Sequence, residues 1–246
     1  MGLSIIKLVW DYCNLYPLVK IVCDYLFSII LFVILSPLFI FIILCLFLFS
    51  SSNIFFSHKR IGKNGKYFNL YKFRTMKHSR DKIISKYFEK YPYEKKYWNK
   101  NQKLKNDPRI TKIGYFLRDY SLDELPQILN ILKGEMSFIG PRPIVENEKN
   151  KYGDRFSYYK SVKPGLSGLW QVSGRNNTTY EERVELDYLY TKKMSFFLDV
   201  KIFFKTFYVV LMKKGAYWFM KFLVTGGAGF IGSNLVFYFQ ENYPAA

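Results

Sequence analysis

The stretch Arg118-Asp-Tyr-Ser-Leu-Asp-Glu-Leu-Pro-Gln, with Gly134-Glu-Met-Ser-Phe-Ile-Gly-Pro-Arg-Pro just beyond it, decides how the rest of this chain is read. Ser121 followed by Glu124 has the form of a capping box, which predicts a helix from Ser121 through Ile128 and Leu132 to Gly134. Asp123 and Glu124 then occupy its first turn. Arg118 precedes this acid pair. Arg142 follows it, between Pro141 and Pro143, whose rings restrict the backbone on either side. The unpaired N–H groups of a helix start attract phosphate. Carboxylates at the same place make sense if a divalent cation lies between them and the phosphates, and Mg²⁺ commonly binds through one or two carboxylates plus phosphate oxygens. Two carboxylates beside fixed arginines therefore suit metal-assisted chemistry on a phosphate group. A plainer reading stands beside it: Glu124 only completes the cap of Ser121, and Asp123 only favours the helix dipole.

Upstream, Ser57-His-Lys-Arg-Ile-Gly-Lys-Asn-Gly-Lys reads as a turn with Asn64-Gly65 at its tip, joining short strands that end in Phe68-Asn-Leu-Tyr-Lys-Phe-Arg-Thr-Met. Strand alternation places Lys72 and Arg74 on one face and Tyr71 and Phe73 on the other. That basic face either holds phosphate or is an ordinary solvated one. Residues 79–107 form a charged, tyrosine-rich insertion of helical pieces interrupted by Pro92. Downstream, Pro164-Gly-Leu-Ser-Gly-Leu-Trp-Gln-Val-Ser-Gly-Arg-Asn implies tight turns, with Arg175 projecting from one of them. Thr179-Tyr-Glu-Glu starts another capped helix, through Val184 and Tyr188. Ser195 to Lys214 is apolar on nearly every side and carries Lys201, Lys205, Lys213 and Lys214. Such a helix is buried or lies in the headgroup region with its lysines on anionic lipid.

At 246 residues the chain has material for one large or two small domains. A net charge of +18 calls for an anionic partner: nucleic acid, phospholipid or a phosphorylated substrate. Hydrophobic residues make up 50% and aromatic ones 20%, which is rich for a nucleic-acid-binding protein and ordinary for one that touches lipid. Cys13, Cys23 and Cys45 have neither metal-ligand spacing nor a disulfide framework. Two histidines, His58 and His78, exclude a multi-His zinc site.

From Tyr25 to Phe49 no residue is charged, and the run is long enough as a helix to cross a hydrocarbon core of roughly 30 Å. It is too long, and lacks the small-residue cleavage site, for a removed signal peptide. Ser36-Pro37 sits in its middle, where the missing N–H of proline predicts a kink. The run is either a tilted span or a helix that bends there and leaves by the face it entered. Lys7 and Lys20 precede it; Lys59, Arg60, Lys63, Lys66, Lys72 and Arg74 follow. The positive-inside tendency puts the C-terminal bulk in the cytoplasm and permits the amino end on either side.

Six strings occur in order: Lys72-Phe-Arg-Thr-Met, Asn106-Asp-Pro-Arg-Ile-Thr, Ser121-Leu-Asp-Glu-Leu-Pro-Gln, Leu132-Lys-Gly-Glu-Met-Ser-Phe-Ile-Gly-Pro-Arg-Pro, Lys163-Pro-Gly-Leu-Ser-Gly-Leu-Trp-Gln-Val-Ser-Gly-Arg-Asn and Leu198-Asp-Val-Lys-Ile. Together they resemble the bacterial sugar transferases, the polyprenyl-phosphate sugar-1-phosphate or monotopic phosphoglycosyl transferases, over roughly Lys20 to Tyr217. The resemblance implies an α+β fold: a re-entrant membrane helix broken at Ser36-Pro37, and a mainly helical catalytic domain with a small antiparallel sheet. That domain would lie on the cytoplasmic face of the bacterial inner membrane. The implied division is an amphipathic lead over 1–19, the membrane helix over 20–56 and the catalytic domain over 57–217.

By the same resemblance Asp123 is the nucleophile that attacks the β-phosphorus of a UDP-sugar, releasing UMP, and polyprenyl (undecaprenyl) phosphate then takes up the sugar phosphate. This would be the first membrane step of polysaccharide or glycoconjugate assembly. Glu124 would help Asp123 hold Mg²⁺. Lys72, Arg74, Arg118, Arg142 and Arg175 would hold phosphates or the nucleotide. The implied partners are the two substrates and membrane lipid, and not nucleic acid. The identity of the sugar, the prenol length and the oligomeric state, a homodimer included, stay open. The insertion at 79–107 and the string Lys214-Gly-Ala-Tyr resemble the hexose-1-phosphate branch of the family.

After Tyr217, Met220-Lys-Phe-Leu-Val-Thr-Gly-Gly-Ala-Gly-Phe-Ile-Gly-Ser-Asn-Leu-Val resembles the opening of NAD-dependent nucleotide-sugar epimerases and dehydratases. A lone βα unit over 218–246 cannot bury both faces of its strand. It is therefore expected to be a fusion junction or truncated domain that binds no cofactor.

Overall fold

The computed structural model describes residues 16–49, 53–77, 79–101, 104, 107–174, 178–211 and 234. Residues 1–15 of the expected amphipathic lead, the turn carrying Arg175, and the epimerase-like tail apart from Asn234 lie outside the described residues, while 16–19 belong to the long apolar helix.

Helix α1 (Tyr16–Phe49) contains the whole uncharged run and is long and apolar enough to cross a membrane. Its helical structure continues through Pro37, the position at which the sequence predicts a kink. Proline removes the N–H that would bond the Val33 carbonyl one turn back. Ser36 supplies a substitute, its Oγ donating to Val33 O at 2.8 Å. The orphaned acceptor is satisfied locally, so the proline is tolerated without interrupting the helix.

Next comes a hairpin. Strands β1 (Phe55–Ile61) and β2 (Tyr67–Phe73) pair antiparallel from Phe55↔Phe73 to Ile61↔Tyr67. Asn64 and Gly65 at the tip both have positive φ, 58° and 74°, a conformation open to asparagine and glycine and strained for most other residues.

The insertion forms helices α2 (Arg80–Lys90) and α3 (Pro92–Asn101), with Pro92 at a helix start, where its missing N–H is harmless. Residues 81–108 fall outside the main compact unit, and ring contacts such as Tyr87–Tyr91 at 5.0 Å and Phe88–Trp98 at 6.2 Å hold their helices together.

The main unit continues with α4 (Lys112–Asp119), a 3-10 turn (Leu122–Glu124), α5 (Gln127–Leu132) and β3 (Ser137–Ile139). A 3-10 segment (Glu146–Arg155), α6 (Phe156–Tyr159), β4 (Gly165–Ser167), α7 (Leu169–Ser173), α8 (Tyr180–Lys193) and α9 (Phe196–Leu211) complete it. Strands β3 and β4 pair in parallel, so a second sheet of opposite sense joins the expected antiparallel one. The two chains approach closely here: a Cβ on Gly165 would lie 2.1 Å from Gly140 N, so only glycine fits. The capping box at Thr179 forms as the sequence implies, with Glu182 N–H donating to Thr179 Oγ1 at 3.2 Å and Thr179 N–H to Glu182 Oε2 at 2.8 Å.

Both halves of α1 pack on this unit. Phe27 and Leu31 cover the cluster of Phe68, Leu70, Ile131, Met136 and Phe138, with Phe27 edge-on to Phe138 at 5.1 Å. Ile42 and Leu46 are buried against Phe73 and Leu117. Each such side chain contributes about 1.5–3 kcal/mol by leaving water. The N-terminal half is also tied by polar groups. Asp199 of α9 accepts from Tyr16 Oη at 2.5 Å and Tyr190 Oη at 2.8 Å and pairs with Lys20, while Phe138 N–H donates to Asp24 Oδ1 at 3.2 Å. Helix α9 leaves Phe204, Phe207 and Tyr208 exposed alongside Lys201 and Lys205, the mixed surface expected of a helix at a headgroup layer.

Candidate active site

Asn130 sets the site's frame. It is fully buried on α5 and pegs that helix to the edge of β2. Its Oδ1 accepts from Tyr71 N–H at 3.0 Å; its Nδ2 donates to Asn69 O and Glu135 Oε2, both at 2.7 Å. These bonds fix Lys72, the next residue of β2, beside the chain that enters α5.

That entry differs from the capped helix the sequence suggests. Ser121 adopts the left-handed conformation (φ 56°, ψ 20°) and makes no side-chain cap. Its backbone carbonyl, not its hydroxyl, receives Glu124 N–H, at 3.2 Å. Asp123 and Glu124 therefore sit in a tight 3-10 turn, and α5 begins only at Gln127. The capping box fails because Glu124 has a stronger partner: Lys72 Nζ lies 2.5 Å from Glu124 Oε1, and 3.8 Å from Asp123 Oδ2. An ion pair with a full ammonium charge outcompetes the bond that the carboxylate would make to a backbone N–H.

Asp123 is 8% exposed. Burial pushes its carboxyl above the usual range, Lys72 pulls it back, Glu124 pushes it up again and Arg118 lowers it. The Arg118 side chain is itself fixed, its Nε donating to Thr75 Oγ1 at 2.9 Å. A cleft opens beside the acid pair, lined by Arg60, Lys72, Glu124, Gln127, Arg142 and Gln171, among others. The structure thus gathers Asp123, Glu124, Lys72, Arg118 and Arg142 of the residues singled out from sequence. Arg74 stands apart: its guanidinium lies 5.9 Å over the Phe56 ring, and it does not line the cleft.

Arg60, Gln127 and Gln171 escaped the sequence reading. Arg60 sits on β1 two residues before Gly62, where it reads as one more cation in a basic turn. Its Nη1 donates to Pro143 O at 3.2 Å, and burial followed by the nearby Arg142 lowers its pKa. Gln171 follows the buried Trp170, and its Oε1 is buried without a hydrogen-bond partner. Only folding brings β1, α5 and α7 to one cleft.

Among the described residues no group of three or more His, Cys, Asp and Glu could hold a metal. A cation that takes one or two carboxylates and completes its shell with substrate oxygens still fits. The Lys72 ammonium between Asp123 and Glu124 shows that the pair accepts positive charge at this point.

The model of the family described as "Bacterial sugar transferase" matches residues 15–213. An "Uncharacterized sugar transferase" of Haemophilus influenzae is 52% identical over 165 residues, 67% of this chain and 35% of that protein. The "Exopolysaccharide production protein ExoY" of Sinorhizobium fredii is 43% identical over 194 residues, 79% of this chain and 86% of its own. An "Undecaprenyl-phosphate galactose phosphotransferase" of Salmonella typhimurium is 49% identical over 162 residues, 66% of this chain and 34% of that protein. The chain thus spans about a third of the Haemophilus and Salmonella relatives and most of ExoY. The matched residues include the membrane helix, the acid pair and the cleft, and the chain belongs to the bacterial sugar transferase family.

Proposed function

We propose that this chain transfers a sugar 1-phosphate from a UDP-sugar to polyprenyl phosphate through an aspartyl-phosphate intermediate on Asp123. The observation that carries the reading is the pair of buried Asp123 and half-buried Glu124 around Lys72, beside a cleft lined by Arg60 and Arg142. The names of relatives support the substrate class, among them the galactose phosphotransferase above and a "UDP-glucose:undecaprenyl-phosphate glucose-1-phosphate transferase" of Klebsiella pneumoniae.

In the first step an Asp123 carboxylate oxygen bonds to the β-phosphorus of the donor. The bond from that phosphorus to the bridging oxygen breaks, and UMP leaves with the oxygen. In the second step a phosphate oxygen of polyprenyl phosphate attacks the same phosphorus, and the Asp123 carboxylate departs. Dividing the transfer lets a soluble and a lipid substrate use one site in turn. Lys72, Arg60 and Arg142 hold the phosphate charge, and Arg118 keeps Asp123 oriented and more readily ionised. Held by Asp123 and Glu124, Mg²⁺ would supply further neutralisation of phosphoryl oxygens.

The same reading places both ends of α1 on the cytoplasmic face of the bacterial inner membrane. At 1.5 Å per residue a straight helix of this length reaches about 51 Å, more than a bilayer core needs. Its two halves nevertheless pack on one unit, through Phe27 and Leu31 and again through Ile42 and Leu46. A helix that dips in and returns accounts for both sets of contacts. The Pro37 position, where Ser36 Oγ serves the Val33 carbonyl that proline leaves unpaired, is where such a helix bends at least cost.

The decisive experiment is UMP release from a panel of UDP-sugars with membranes or purified enzyme, followed by mass spectrometry of the protein. The reading expects a sugar phosphate on Asp123 and no turnover by Asp123→Asn. Wild-type-like turnover by that variant would overturn the mechanism.

A further inference from the structure

Arg142 reaches the cleft from an exposed position between two buried prolines, Pro141 and Pro143. Its guanidinium lies 5.7 Å over the Trp170 ring. A side chain flanked by prolines goes where its backbone is held.

That backbone, from Ser137 to Ile144, is held on two sides. The chain around β4 takes one: Ser137 N–H donates to Pro164 O and Gly140 N–H to Ser167 O, both at 2.9 Å, and Pro141 O accepts from Gly165 N–H at 2.8 Å. Beyond the turn, Arg60 Nη1 donates to Pro143 O at 3.2 Å and Ile61 N–H to Ile144 O at 3.0 Å.

The membrane helix takes the other side. Ser137 and Ile139 are the β3 residues that pair with β4, so the Phe138 N–H between them points to the open edge of a two-stranded sheet. An edge N–H shut away from water must find an acceptor. Asp24 of α1 supplies it, its Oδ1 accepting that N–H at 3.2 Å. One residue on, Ile139 O lies 3.1 Å from the Tyr190 hydroxyl, which also donates to Asp199 Oδ1 at 2.8 Å. Asp199 Oδ2 in turn receives Tyr16 and Lys20 of α1. Asp24, Tyr190 and Asp199 are all buried. Carboxylates in a core are costly unless they meet donors, and the donors these two meet tie α1 to β3.

We propose that Asp24, Tyr190 and Asp199 are positioning residues: acting through β3, they hold the Pro141–Pro143 turn from the side of the membrane helix and so place Arg142 along the cleft for donor phosphate. The seat of the membrane helix is thereby part of the donor site. The proposal rests on the phosphoryl-transfer reading above.

The test uses the full chain in detergent, with kcat and KM measured for UMP release. Asp24→Leu takes the acceptor from the Phe138 N–H and should raise the donor KM about 10-fold with a smaller change in kcat, since a displaced phosphate-holding group loses its geometry. Asp24→Asn keeps an oxygen for that N–H and should bring KM back near that of the parent; Asp24 Oδ2, the atom it exchanges, has no hydrogen-bond partner to lose. Tyr190→Phe withdraws the hydroxyl from Ile139 O with little change of shape, so it should raise KM in the same sense even if Asp24→Leu folds poorly. Asp24→Leu should add little to Arg142→Ala, because both act through one guanidinium.

Two readouts need no turnover. Hydrogen exchange at the Phe138 amide should quicken in Asp24→Leu and not in Asp24→Asn. With Trp10, Trp98 and Trp218 replaced by phenylalanine, Trp170 emission in Asp24→Leu and in Tyr190→Phe should shift toward that of Arg142→Ala. A donor KM unchanged in both variants, losses strictly additive with Arg142→Ala, or Trp170 emission indifferent to both variants would each overturn the proposal. Should no UDP-sugar turn over at all, that counts against the transfer reading, and Trp170 emission still decides whether α1 positions Arg142.

Discussion

Lys72 Nζ lies 2.5 Å from Glu124 Oε1, so a strand residue and a turn residue 52 positions apart share one ion pair at the lip of the cleft. The pair does two jobs. It stabilises a turn that crowds Asp123 against Glu124, and it marks the point where phosphate charge must be met. Losing Lys72 would take from Glu124 an ion-pair partner at 2.5 Å and from Asp123 a cation at 3.8 Å.

That relationship predicts coupled effects. Lys72→Met should lower stability by about 3 kcal/mol, as expected when one partner of a largely buried pair is removed. Adding Glu124→Gln should restore part of it, giving a coupling of about 1–2 kcal/mol in a double-mutant cycle of thermal or denaturant unfolding in detergent. UMP release should stay below 1% of wild type in both variants, because the phosphate loses its cation either way. Additive losses of stability would mean that the pair does not interact.

Asn130 should prove a structural peg and not a chemical group. Asn130→Leu strands the Tyr71 N–H and the Asn69 carbonyl, which should cost about 2–3 kcal/mol for two unmet backbone groups. Residual activity per folded molecule should remain measurable, in contrast to Asp123→Asn. Hydrogen exchange at the Tyr71 amide is the direct measurement, and faster exchange is the expected result.

Asp187 should make stability depend on pH. Its carboxyl sits near 7 in the folded chain, against an ordinary value of 3.8. A raised carboxyl favours the folded state below its unfolded pKa, and that advantage is lost as pH climbs from about 4 to 7, at a cost of about 4 kcal/mol. Asp187→Asn escapes this loss. Its melting temperature relative to wild type should therefore rise between pH 4 and pH 8. A parallel decline in both proteins would show that the carboxyl is not destabilised by burial.

Replacing Ser36 and Pro37 with alanines restores the N–H to Val33 O and removes the reason for a bend. Cysteines placed ahead of Tyr16 should then become reactive toward a membrane-impermeant reagent in intact cells, whereas the parent chain should be protected. Equal protection in both would indicate that packing of α1 on the catalytic unit, not the proline, fixes its topology.

Removing residues 220–246 should leave UMP release nearly unchanged, since the family match ends at residue 213. Titration of the full chain with NAD should give no saturable binding at micromolar concentration. A large loss of transfer on truncation would show that the tail packs on the catalytic unit.

Much of this protein was legible in its residues one stretch at a time. The uncharged run at 25–49, the Asn64-Gly65 hairpin, the Thr179 cap and the interruption of the insertion's helices at Pro92 are local matters, set by hydropathy, φ preference and missing donors. The acid pair with Lys72, Arg118 and Arg142 also stood out as a set of ordered motifs. Tertiary structure decided what depends on groups distant in sequence. Ser121 carries every local sign of a helix cap, yet the Lys72 ammonium takes Glu124 and the turn tightens instead. Arg60 and Gln171 join the cleft because β1 and α7 converge there, and the parallel β3–β4 pair exists because Gly140 and Gly165 let two chains approach. Sequence spacing cannot report such competition, since an ion pair across the fold outweighs a carboxylate's bond to a backbone N–H within a turn.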